Sequence, residues 1–137
     1  MTIDVIAIDQ VEAGRNLDVR VAKKVLRWRD ANWYENPYAL SDGWGIDELG
    51  KRVQLPHFST DMNDAWQLAT AVTGLIYEQW RTALCFRYYR SGWIHAFVRG
   101  DDTDEELCKA TAMTLPMAIC RCTLKIMEAL ESVGELP

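Results

Sequence analysis

The chain has 137 residues, 49% hydrophobic and 26% charged, with a formal net charge of −5. That is the length and balance of one globular domain, residues 1–137 around a single core, and no apolar run approaches the roughly 20 residues a membrane-spanning helix needs. Its Lys and Arg residues are scattered rather than clustered, which argues against a protein that binds by neutralising nucleic-acid backbones, and Asp4 and Asp9 are wrong for a signal peptide, so a cytoplasmic product is expected.

Residues 2–8 alternate weakly and fit a short edge strand or a lead-in to the first helix. From Val11 to Trp28, Leu17, Val21, Val25 and Trp28 recur at helical spacing, with Ala22 and Leu26 widening the stripe; the opposite face carries Arg15, Arg20, Lys23, Lys24 and Arg27 and reads as solvated. Between Asp30 and Phe58 the periodicity breaks at Asn36-Pro37, Ser41-Asp-Gly43 and Gly45. A segment so long is expected to be packed down rather than disordered, because it holds Trp33, Tyr34, Tyr38 and Trp44, which either seal a core edge or line a pocket.

A second helix is predicted over 60–81, with Ser59 or Thr60 as cap, Asp61 and Asp64 beside the positive end of its dipole, and a core stripe of Met62, Ala65, Trp66, Ala69, Val72, Ile76 and Trp80. Gly74 inside it suggests a close neighbour. From Ala83 the period changes to two, and a tight hairpin over 83–99 turns at Ser91-Gly92. Pairing Arg90 with Trp93 would put Phe86, Tyr88, His95 and Phe97 on one face and Cys85, Arg87, Tyr89, Ile94, Ala96 and Val98 on the other. The acid-rich stretch 100–106 reads as a solvated loop or a helix start. Thr114-Leu-Pro116 opens a last helix reaching about Ser132, whose stripe of Leu115, Ile119, Cys122, Ile126 and Leu130 is wide enough to predict deep burial.

Three stretches carry a resemblance: Glu12-Ala-Gly-Arg-Asn-Leu-Asp18 running into Val21–Val25, Leu55-Pro-His-Phe-Ser-Thr-Asp-Met-Asn-Asp-Ala-Trp66, and Leu115-Pro-Met-Ala-Ile-Cys-Arg-Cys-Thr-Leu124. Together they resemble the phage ABA sandwich domain, small phage and prophage proteins named for a fold rather than a reaction. Over residues 11–132 the resemblance implies an α+β fold, an α/β/α sandwich with helices on both sides of a small antiparallel sheet, in a phage accessory protein acting in the host cytoplasm.

The residues point away from catalysis. Neither His57 nor His95 lies in a nucleophile motif, and no P-loop, zinc-protease or dinucleotide-binding pattern is present. His57 with Asp61 and Asp64 has metal-like spacing, but capping accounts for both aspartates; Cys120 and Cys122 point to different sides of a helix; no metal, cofactor or disulfide is expected. The start of the last helix lacks acids and has Lys109 and Thr111 upstream, which suits an anion, with Arg87 as a further cation. The expected ligand site is therefore Trp33, Tyr34, Tyr38 and Trp44 stacking on a ring, with Thr111, Thr114 and Arg87 taking phosphate. On this reading the chain is a non-catalytic binding protein that counteracts host defence by sequestering a nucleotide-type small molecule. The alternatives are a protein that blocks a host protein by direct contact, a structural or assembly protein, and an enzyme; six tryptophans also make a homo-oligomer an expected partner arrangement.

Overall fold

The computed structural model describes residues 7–33, 43–100 and 105–132. In chain order these form a 3-10 turn (Ile8–Gln10), α1 (Arg15–Lys24), β1 (Arg29–Asn32), β2 (Trp44–Ile46), β3 (Arg52–Gln54), α2 (Met62–Trp80), β4 (Thr82–Tyr88), β5 (Ile94–Gly100), β6 (Glu106–Ala112) and α3 (Leu115–Ser132). The strands make two antiparallel sheets, ordered β1-β2-β3 and β4-β5-β6. The α+β class that the resemblance implies is thus the observed one. Residues 2–6 of the doubtful first segment, and the acid run 101–104, lie outside the described residues.

The centre of the packing is α3 rather than the hairpin. It touches α1, α2, β5, β6 and the 3-10 turn, and every residue from Met117 to Leu124 is buried. A helix apolar on most sides must be covered on most sides. Burying Ile119, Ile126 and Leu130, all fully inaccessible, contributes about 1.5–3 kcal/mol each.

The hairpin register differs by one residue from the expected one. Tyr89 N–H donates to the Trp93 carbonyl at 3.0 Å and Gly92 N–H to the Tyr89 carbonyl at 3.0 Å, so Arg90, Ser91 and Gly92 form a three-residue loop whose last member takes φ +95°, a conformation glycine adopts without strain. Tyr88 then faces Ile94, Phe86 faces Ala96 and Leu84 faces Val98. A slip of one exchanges the faces: Leu84, Phe86, Ile94, Ala96, Val98, Ala110 and Ala112 turn to the helices and join the core, while Cys85, Arg87, His95, Phe97 and Thr111 share the other face. The main helix contacts of this sheet are those of α2 with β4 and of α3 with β5 and β6.

Three further differences have local causes. β1, β2 and β3 are three or four residues long, too short to show alternation. β6 is interrupted by a bulge at which Cys108 takes φ +53°, and its small Ala110 and Ala112 resemble a loop. Ser59 does not cap α2; Asp61 does, accepting from Asp64 N–H at 3.0 Å.

In α2 the core stripe is Ala65, Leu68, Ala69, Val72 and Ile76, with Trp66 left 54% exposed at its edge. Gly74 is exposed and has nothing within 4 Å of an added Cβ, so no close neighbour explains it. Gly74→Ala is therefore expected to raise stability by about 0.5–1 kcal/mol in denaturant unfolding; a loss would reveal a contact at this helix face.

Candidate functional site

The start of α1 is where the first two resembling stretches meet. Asp18, fully buried, accepts from Ser59 N–H at 2.8 Å and from the Ser59 hydroxyl at 2.7 Å through Oδ1, and from Arg15 Nη1 at 2.8 Å through Oδ2. Arg15 also donates to the carbonyls of Pro56 at 2.9 Å and Leu55 at 2.7 Å. Gly14 N–H donates to Ser59 Oγ at 2.8 Å. The Ser59 hydroxyl reaches the Gly14 carbonyl too, at 3.0 Å, but it has one proton, and the carboxylate is the closer, charged acceptor. Arg15 and Arg20 were expected on a solvated face; Arg20 is buried, and Arg15 is drawn inward by Asp18 because a buried carboxylate needs a counter-charge.

This lattice ties Gly14 and Arg15 to residues 55–59, and a concavity of about 320 Å³ lies beside it, lined by Gln10 to Asn16 and by Trp33. Trp33 is half-buried; its Nε1–H donates to Asn16 Oδ1 at 2.9 Å, which fixes the indole against the first turn of α1. The helix begins at Gly14, which has no side chain to cap it. The one acid of the first turn, Asp18, is turned inward to Ser59 and Arg15. An uncompensated amino end beside an aromatic ring, with Glu12 the acid in the lining, is a place where an anion and a planar group can sit together.

Of the described residues among those proposed from the sequence, Trp33 alone lines this concavity. Tyr34 and Tyr38 lie outside the described residues. Trp44 pairs with Asn32 across β1 and β2; beside it Gly43, at φ +111°, leaves no room for a Cβ against the Asn32 carbonyl at 2.8 Å and Trp33 Cβ at 3.0 Å, and the Arg52 guanidinium already stacks on the Trp44 ring at 4.1 Å. Thr114 stands at the start of α3, its hydroxyl 3.4 Å from Met117 N–H.

Thr111 and Arg87 are brought together, though elsewhere: Arg87, His95 and Thr111 pair in one row across β4, β5 and β6. On that row Arg87 ion-pairs with Glu106 and lies over the Phe97 ring at 4.9 Å; hydrogen bonding to Tyr89 and then to Glu106 holds its guanidinium more firmly charged. Tyr89 also meets His95 edge-on, its hydroxyl 3.3 Å from Nδ1. His95 therefore lies on the face opposite Phe86 and Tyr88, with which the expected register grouped it. The Arg87 charge is spent on Glu106.

Within residues 10–16, Glu12 to Asn16 carry part of the resemblance, but the sequence does not mark them as a ligand site. The signal available was Gly14 where a capping side chain is usual, followed by an acid at Asp18. Among the described residues no group of three or more His, Cys, Asp or Glu side chains is placed to hold a metal ion, and none of the helices is long and apolar enough to cross a membrane. No family model, curated protein or solved structure matches the chain.

Proposed function

We propose that this chain is a phage or prophage accessory protein of the ABA sandwich type, a non-catalytic binding protein that sequesters a small phosphorylated, ring-bearing molecule in host cytoplasm. The observation that carries the ligand reading is the concavity at the start of α1, where Trp33 stands beside an amino end with no capping side chain. A ring stacked on the indole gains about 1–3 kcal/mol, and a phosphate at the helix start adds a salt-sensitive attraction. Relative to the sequence-based site, Trp33 is kept and the anion moves from the start of α3 to that of α1. The buried Asp18 lattice supports the reading by fixing the lining in advance, which lowers the cost of binding.

Calorimetry of the full chain against a panel of linear and cyclic nucleotides is expected to give a Kd below about 100 μM, with quenched tryptophan emission and weaker binding in added salt. Trp33→Ala is expected to weaken it by roughly 10-fold or more. A second reading, occupation of a host protein, is favoured by the tip of the β4–β5 hairpin, where Tyr88, Tyr89 and Trp93 are 66%, 42% and 45% exposed; Tyr and Trp are the side chains that dominate interface energies. If no nucleotide binds and the immobilised chain retains one host protein, the second reading replaces the first.

A further inference from the structure

The two outer strands of the β4-β5-β6 sheet are finished differently. On β6 the Cys108 bulge breaks the edge, and side chains of α3 bond its backbone: Cys122 Sγ to the Cys108 carbonyl at 3.2 Å, Lys125 Nζ to the Lys109 carbonyl at 2.6 Å and Arg121 Nη1 to the Thr111 carbonyl at 2.8 Å. These are the ways proteins protect a sheet edge. β4, Thr-Ala-Leu-Cys-Phe-Arg-Tyr, has none of them: it holds no proline, its pairing with β5 runs without a bulge from Thr82 to Tyr88, and its one charge, Arg87, is tied across the sheet to Glu106. Among the described residues no strand pairs with its outer side.

The direction of its free backbone groups follows from the hairpin. Because Tyr89 N–H bonds the Trp93 carbonyl and the bonded pairs of an antiparallel ladder alternate, odd-numbered residues of β4 point their N–H and C=O to β5, and Thr82, Leu84, Phe86 and Tyr88 point theirs outward. An antiparallel copy of β4 centred on Cys85 would set Leu84 against the partner's Phe86 and Thr82 against the partner's Tyr88, so each outward residue finds an outward residue. Arg87 would face the partner's Ala83, and no like charges oppose within the strand. Behind this edge Trp66, Ala69, Thr70 and Thr73 of α2 form a groove with Leu84 and Phe86, uncharged along its length, which a second copy would close.

We propose that β4 is a dimer edge: two copies of this chain join their sheets through β4, antiparallel and about a two-fold axis at Cys85. A strand that matches itself in backbone direction, side-chain size and charge suits a symmetric, isologous contact. In this register Cys85 and its symmetry mate form a non-hydrogen-bonded pair with Cα atoms about 4.5 Å apart, within the range a disulfide spans.

Native mass spectrometry and light scattering of the full chain at micromolar concentration should show a dimer. Diamide, which takes two electrons and two protons from a pair of thiols, should cross-link that dimer through Cys85; Cys85→Ser should abolish the cross-link and leave the mass of the native dimer unchanged. Tyr88→Pro removes an outward N–H without touching the β4–β5 ladder, as an edge position tolerates, and should give a folded monomer. Thr73→Glu, which puts a charge in the groove, is the second variant should the first misfold. A monomeric wild type, a dimer that diamide does not join at Cys85, or a folded Tyr88→Pro or Thr73→Glu chain that remains dimeric would each overturn the proposal.

Discussion

Asp18→Ala is expected to lower the unfolding free energy by about 3–5 kcal/mol, the largest loss from any single polar side chain described. The carboxylate is fully buried and accepts from the backbone and hydroxyl of Ser59 and from Arg15. Its removal takes one charged partner from a guanidinium only 10% exposed and leaves the buried Ser59 N–H without its acceptor. The cost of such a stranded group exceeds the net worth of the bond when made. Asp18→Asn keeps an acceptor for Ser59 and loses only the charge, so an intermediate loss is expected. The comparison is Asp9→Ala, which breaks an ion pair with Lys125 at 2.8 Å whose carboxylate is 51% exposed; there the loss should stay below about 1 kcal/mol. Urea unfolding of the three variants checks this. Equal losses at Asp9 and Asp18 would mean that water reaches the α1 lattice, and the preformed lining of the proposed ligand site would go with it.

Above about pH 9 the fold is expected to lose stability steeply, because two thiols of α3 cannot ionise in place. Burial pushes the Cys120 thiol up, with Asp18 adding to the effect. Burial, and then Cys108, raises that of Cys122 beyond the range of ordinary buffers. In the unfolded chain both titrate near 8.5. Below that pH each state holds its protons and nothing changes. Above it the unfolded state releases protons that the folded state keeps, so stability falls with rising pH by about 1.4 kcal/mol per unit for each thiol. The term is present in full below the unfolded pKa and disappears towards the folded one. Cys122→Ala should flatten the slope of stability between roughly pH 9.5 and 11 by about half of the thiol contribution. An unchanged slope would sink the assignment. Iodoacetamide on the native protein should label half-buried Cys85 well before Cys120 and Cys122, since the thiolate is the nucleophile.

What could be read from the residues was what depends on near neighbours along the chain. The 3.6-residue stripes of α2 and α3 and the alternation of β4 and β5 appear within a window of a dozen residues, and their boundaries came within two residues of those observed. The wide stripe from Leu115 to Leu130 foretold the deep burial of α3, because a helix with little polar surface has no other stable place. β1, β2, β3 and β6 were missed because strands of three or four residues and a bulged one carry no period. The candidate site was legible only in part: Trp33 stood out as an aromatic in a turn-rich segment, whereas the loop it faces carries part of the resemblance but no ligand-binding signature.

Composition and local periodicity by themselves determined the two long helices, the hairpin, and an apolar surplus sufficient for one core. Tertiary structure decided the rest. A turn one residue longer than expected exchanged the faces of the hairpin, because side chains alternate with period two and any odd slip inverts them; that single step separated His95 from Phe86 and Tyr88 and set it opposite Arg87. Asp18 and Ser59 are 41 residues apart, and Arg121 bonds the Val11 carbonyl across 110. Such pairings have no local signature, since what drives them, the cost of leaving a buried charge or N–H alone, arises only once the chain has closed around it.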